Sequence, residues 1–237
     1  MAANIEEVLR RLRERGGFGA VERTDFTGVL SHHDLLDEAY AVGKFRTDDF
    51  TLDEGALVVY RNIAKWIVGD PTMKSVNPVS HLLEDGDLTK GIYLAGRTGC
   101  GKTWAMDIMA FLAKEHRITY KAYGQDCVLD IKSFRADAIT EEYMRSGDMG
   151  QFVEGTKVLL IQDLGTEPEE VLYMGNRVDV LRHVLERRAD DPSRITLVTS
   201  NIPMTGDGIT RRYGDRVSSR FRQMFNYLEM RGDDKRR

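Results

Sequence analysis

The stretch Ile92-Tyr93-Leu94-Ala95-Gly96-Arg97-Thr98-Gly99-Cys100-Gly101-Lys102-Thr103-Trp104 decides the fold. Four apolar residues run into the octet Gly96 to Thr103, which matches G-x-x-x-x-G-K-[ST]. A helical pattern follows at once, with Trp104, Ile108, Met109, Phe111 and Leu112 as its apolar residues. Strand, glycine loop and helix in this order make a phosphate-binding unit. The glycines let successive backbone N–H groups turn toward phosphate oxygens, and the helix N-terminus adds the positive end of its dipole. Lys102 is placed to reach the β- and γ-phosphates of a nucleotide, and the Thr103 hydroxyl to ligate Mg²⁺. The run from Gly96 to Trp104 is the expected nucleotide contact, with Cys100 a small filler at a free position of the octet. A dinucleotide G-x-G-x-x-G reading leaves Lys102 and Thr103 unexplained.

Further along, Val158-Leu159-Leu160-Ile161-Gln162-Asp163 drives four apolar residues into an acid, the pattern of a strand whose terminal carboxylate holds the Mg²⁺ shell or orients water. Ile195-Thr196-Leu197-Val198-Thr199-Ser200-Asn201 is another strand ending in polar groups, one of which can position an attacking water. Arg216 to Met224 reads as a short amphipathic helix with Val217, Phe221 and Met224 inward and Arg216 and Arg220 sharing another face. Apolar runs at Ile118–Tyr123 and Asn226–Met230 supply two more strands. Helical patterns lie around Lys102–Lys114, Gln125–Ser146 and Val178–Arg188, so strands and helices alternate and predict a parallel sheet covered on both faces.

These motifs, in this order, resemble the AAA+ ATPases of the DnaC-type helicase loaders, whose relatives include the IstB-type transposition ATPases and DnaA. The resemblance covers roughly residues 53 to 230, and phage and mobile-element DnaC-like proteins look most similar. It implies an α/β three-layer P-loop (ASCE) domain with sheet order 5-1-4-3-2 and no large C-terminal lid. It also implies ATP/ADP and Mg²⁺ as ligands, Asn201 as the sensor 1 residue, and Arg220 as an arginine finger offered in trans by a self-associating neighbour. Lys102, Asp163, Asn201 and Arg220 are the catalytic residues so implied, with Thr103 and Asp163 on the metal. One position departs: the family places two acids after the apolar strand, and here Gln162 stands first. Its carbonyl can accept from a metal-bound water, but it carries no charge. The expectation is intact ATP binding with slow hydrolysis.

Upstream, Asp53 caps an amphipathic helix through Ala56, Val59, Tyr60, Ile63 and Ile67, stopped by Gly69 and Pro71. Residues 71–90 read as loop, and only a short helix around Leu35–Tyr40 is assigned between 20 and 50. Ile5, Val8, Leu9 and Leu12 make an amphipathic helix over Asn4–Arg15, ended by glycines. The division is therefore a helical appendage over 1–52, expected to dock a replicative, DnaB-like helicase, and an ATPase domain over 53–237.

Composition narrows the partners. With 34 Lys+Arg against 38 Asp+Glu the net charge is −4, so the chain is no bulk polycation, and contact with single-stranded DNA needs a local basic strip. Lys121, Lys132, Phe134, Arg135, Tyr143 and Arg145 form one weak candidate, and Arg211, Arg212, Tyr213 and Arg216 another. Two cysteines exclude a disulfide framework and a four-cysteine zinc site, and the five histidines lack ligand spacing. No apolar run approaches the ~20 residues of a membrane span. No secretory or transit signal is expected, which leaves a cytoplasmic protein. A transposition or target-selection ATPase and a non-hydrolysing nucleotide adaptor stay open as alternatives. A small-molecule kinase would want an arginine-rich lid.

Overall fold

Apolar runs too short to span anything but a sheet line up as one here. The computed structural model describes residues 30–122, 124–232 and 234–235. The expected helix over Asn4–Arg15, and the docking role attached to it, lie outside the described residues. In chain order the elements are α1 (His32–Arg46), α2 (Glu54–Val68), β1 (Lys74–Val76), β2 (Leu83–Asp85), β3 (Gly91–Gly96), α3 (Lys102–Glu115), β4 (Thr119–Ala122), β5 (Gln125–Val128) and β6 (Ile131–Arg135). Then follow α4 (Ala136–Ser146), α5 (Gly150–Val153), β7 (Val158–Leu164), β8 (Val171–Tyr173), β9 (Asn176–Val178), α6 (Val180–Ala189), β10 (Ile195–Ser200), α7 (Gly208–Met224) and β11 (Phe225–Met230).

Five strands form the central sheet in the order β11-β3-β10-β7-β6, every neighbouring pair parallel. Counted along the chain this is 5-1-4-3-2, the order the resemblance implied. Strands buried on both faces are apolar without alternation, and β3 and β10 are accordingly buried along almost their whole length. One face carries α1, α2 and α3 on Ile92, Leu94, Val158, Leu160 and Leu197. The other carries α4, α5, α6 and α7 on Tyr93, Leu159, Ile161 and Val198. Parallel strands joined through helices put all five C-terminal ends on one edge, where open α/β sheets bind their ligands.

Several sequence expectations are corrected. The second strand of the sheet is β6, not Ile118–Tyr123. The latter run becomes β4, which pairs antiparallel with β5 in a separate hairpin, Tyr120 opposite Cys127. The helix expected over Gln125–Ser146 is therefore β5, β6 and only then α4. Pairing of Ile131–Arg135 along β7 overrides the local helical pattern. Cys127 is buried, but on β5 rather than on a helix. The short helix at Leu35–Tyr40 extends to fifteen residues, opened by a Ser31/Asp34 capping box. Its Leu35, Leu36 and Ala39 sit in the same apolar cluster as α2 and α3. The helix expected from Arg216 starts at Gly208 and is broken at Gly214, which has φ 82° and ψ 167°. α2 is as read, with Asp53 accepting from the Ala56 N–H at 2.8 Å and Gly69 left-handed at φ 74°.

β7 holds one irregularity. Val198 stands opposite Ile161, but Ser200 stands opposite Leu164, so β7 spends three residues where β10 spends two. The extra residue makes a β-bulge with Asp163 at φ 55°. Its N–H donates to Thr199 Oγ1 at 3.0 Å. The bulge turns Leu164 into the cluster under α4–α7, while Gln162 stays buried on the opposite side.

Candidate functional site

Gly99 at φ 81° and Gly101 at φ 100° turn the loop back on itself after β3. Gly101 caps α3, and no side chain bonds the first turn of that helix. Its N–H groups are thus left to a ligand or solvent, the arrangement that binds anions.

Lys102, only 4% exposed, curls back over the loop. Its Nζ donates to Gly96 O at 2.8 Å, Arg97 O at 2.9 Å and Asn201 Oδ1 at 2.8 Å. Asn201 Nδ2 in turn donates to Thr98 Oγ1 at 3.3 Å. The structure so brings together the loop, its lysine and the polar residue that follows β10, three features read separately in the sequence. Beside them Arg97 and Gly96 line a depression with Glu229, Met230, Arg231 and Gly232. Trp104, the last residue of the expected contact, stacks on Phe50 with ring centroids 5.9 Å apart, and the Arg46 guanidinium lies 5.9 Å over it.

The chain crosses the loop again near its C-terminus. The Lys235 N–H donates to Gly99 O at 3.0 Å, and Lys235 Nζ reaches Asp53 at 2.9 Å and Thr51 O at 3.3 Å. A Cβ added to Gly99 would fall 2.0 Å from Asp234 Oδ1, so a carboxylate lies directly on the glycine loop. The Ala56 N–H and, after it, Lys235 hold the Asp53 carboxyl below the usual carboxylate range.

The acidic motif divides. Asp163, turned by the bulge, sits 3.4 Å from Arg135 Nη1, while Nη2 of the same guanidinium pairs with Asp137 at the head of α4. Gln162 faces the other way and donates from Nε2 to Asp107 Oδ1 at 2.7 Å. Burial pushes the Asp107 carboxyl above its ordinary range, opposed by that hydrogen bond and by Arg46. Asp107 was not singled out in the sequence, although its place four residues after Thr103 on a helix is a readable signal. Arg135 was read only as part of a basic surface.

Arg220 is not drawn to the lysine. Its Nη1 donates to Glu186 O at 3.2 Å and pairs with Asp190, so it is fastened to the C-terminal end of α6. The basic surfaces are also changed by the structure. Arg212 bonds Glu167 at 2.6 Å and Asp179 at 3.2 Å, and the Tyr213 hydroxyl donates to Glu167 Oε1 at 2.6 Å. Glu167 also accepts from the Gly165 N–H, so this network pins the turn after β7 onto α7. Arg212 and Tyr213 therefore do not form part of a DNA strip. Burial of a full ion pair is tolerated because every oxygen named here has a donor. Lys132, Arg135, Arg145 and Arg211 pair with Asp130, Asp137, Glu142 and Asp207, and Phe134 packs edge-on against Phe152. No helix among the described residues is long and apolar enough to cross a membrane.

No protein-family model matches the chain, and no curated protein matches it. Solved structures do. A candidate primosome component from Streptococcus pyogenes serotype M3 is 17% identical over 80% of this chain and 87% of its own, with a TM-score of 0.53. AMPPCP-bound DnaA from Aquifex aeolicus is 18% identical over 79% of this chain and 50% of its own, at 0.46. The DnaC helicase loader is 20% identical over 60% of this chain and 79% of its own, at 0.41. The neighbours thus include the replication proteins that the motifs resemble, and at these identities the likeness is one of fold. The fold class expected from the sequence is the one found.

Proposed function

We propose that this chain is a DnaC-like AAA+ switch that binds ATP, hydrolyses it slowly, and helps load a replicative helicase in the cytoplasm. The observation that carries the reading is the Lys102–Asn201 bond. A lysine bonded to two loop carbonyls and one amide oxygen is aimed and replaceable: phosphate oxygens can take the place of these partners. Asn201 would then lose its lysine partner, so occupation of the loop is felt at the end of β10.

The residues fit the ligands. The open N-terminus of α3 and the left-handed Gly99 and Gly101 describe an anion cradle. Thr103, Asp163 and the Gln162 carbonyl are hard oxygen donors, the kind Mg²⁺ takes. When bound, Mg²⁺ would neutralise charge developing on the phosphate oxygens. Asp163 would orient water, exchanging Arg135 for it. Arg220 would serve a neighbouring copy by exchanging Asp190 for that copy's nucleotide. The docking element is assigned within residues 1–52, and single-stranded DNA is a minor contact.

Co-purification with a replicative helicase, lost on deleting residues 1 to 20, tests the role. Helicase binding unaffected by that deletion overturns the docking assignment. Slow hydrolysis is tested by Gln162→Asp. Restoring a charge to phosphoryl-transfer machinery should raise turnover by on the order of 10²-fold. An unchanged rate sinks that explanation and favours a non-hydrolysing adaptor.

A further inference from the structure

The pair Gln162–Asp107 holds more than a substitution of amide for acid. An amide has a donor end and an acceptor end, whereas an ionised carboxylate only accepts. An ionised Asp107 can bond only the Nε2 end of Gln162, and that is the end found 2.7 Å from Asp107 Oδ1. No hydrogen bond among the described residues reaches Oε1. Asp107 lies four residues after Thr103 in α3, on the same helix face, and helix side chains lean toward the N-terminus. Arg46 on α1 acts on the Asp107 carboxyl in the opposite sense to its burial.

Resting on the nucleotide-switch reading above, we propose that Asp107 is a positioning residue for the Mg²⁺ side of the site. By taking the amide nitrogen of Gln162, it leaves Oε1 as the end offered to the metal's water shell. The orientation of the β7 amide is thus set from α3.

A binding experiment on the full chain separates this from a packing role. ATP affinity is measured by calorimetry with Mg²⁺ and with EDTA, and the ratio of the two is the Mg²⁺ gain. Asp107→Asn lets the new amide donate to Gln162 Oε1 and draw it inward. The gain should fall about tenfold, with affinity in EDTA and the melting temperature of the nucleotide-free protein little changed. In a Gln162→Glu background both ends of residue 162 accept, so orientation no longer matters. There Asp107→Asn should cause no loss, and should raise the gain by removing a like charge. Such opposite responses in the two backgrounds are a coupling that a purely structural residue does not give. An unchanged gain in Asp107→Asn overturns the proposal, and so does an equal loss in both backgrounds. Failure of the unsubstituted protein to bind ATP in either condition would instead overturn the site reading, and this inference with it.

Discussion

Two buried cations stand at opposite edges of the same sheet, and they are held in opposite ways. Arg188, 1% exposed, lies at the N-terminal edge. Its Nε donates to Thr196 Oγ1 at 2.8 Å, and its two Nη groups donate to the carbonyls of Phe152, Val153, Thr156, Lys157 and Ile195. No carboxylate is among these partners. The planar fork satisfies itself on fixed backbone oxygens from α5, the turn before β7 and the start of β10. Lys102, at the C-terminal edge, takes loop carbonyls and a side-chain amide instead. A point charge on a flexible stem can change partners without disturbing a strand. One edge is fixed on main-chain oxygens and the other on a loop and a side-chain amide, the contrast on which the proposed nucleotide site rests.

The contrast can be broken at either edge. Arg188→Met should cost the most, on the order of 3 kcal/mol or more, because it leaves several buried carbonyls without donors. Urea unfolding would show a lower midpoint, and a loss under 1 kcal/mol would mean that the edge is not rigid after all. Lys102→Ala should do the reverse. ATP affinity should drop roughly 50-fold, as two charge-assisted bonds to phosphate are worth about 2–3 kcal/mol, while the nucleotide-free protein unfolds nearly as before. Asn201→Ala removes one neutral partner of the lysine and should weaken ATP binding by about fivefold. The smallest effect belongs to the C-terminal crossing. Asp234→Ala, which lifts a carboxylate off the glycine loop, should tighten ATP binding by a few-fold, since exposed charge contacts are worth about 1 kcal/mol or less. Weaker binding in that variant would show that the carboxylate aids the nucleotide rather than competing with it.

Much of this was legible in the sequence, for identifiable reasons. β3, β7 and β10 are buried on both faces, so their apolar runs announce them. The glycine loop is a local motif whose meaning depends only on its neighbours in the chain. α2 carries its own start and stop signals in Asp53 and Gly69. What could not be read depends on partners distant in sequence. β6, with Lys132, Ser133 and Arg135 among its five residues, is a strand because β7 lies beside it. Glu167 is an ordinary acid until Arg212 and Tyr213 close over it. The path of Asp234 and Lys235 across Gly99 spans more than 130 residues of chain. At the candidate site, Lys102, Thr98 and Asn201 lie together at strand ends the motifs mark, whereas Asp107 gains its partner only when β7 packs beside α3.

The bulge in β7 has a consequence for that motif. On the α3 side the strand presents Val158, Leu160 and Gln162, and on the other Leu159, Ile161 and Leu164. Remove Asp163 from the count and this is unbroken alternation. Asp163 is, in geometric terms, an insertion into an otherwise complete ladder. A chain with that single residue deleted would still place Leu164 in its cluster and Ser200 opposite it. The one carboxylate left to the motif is thus the one residue of the strand that the sheet could do without.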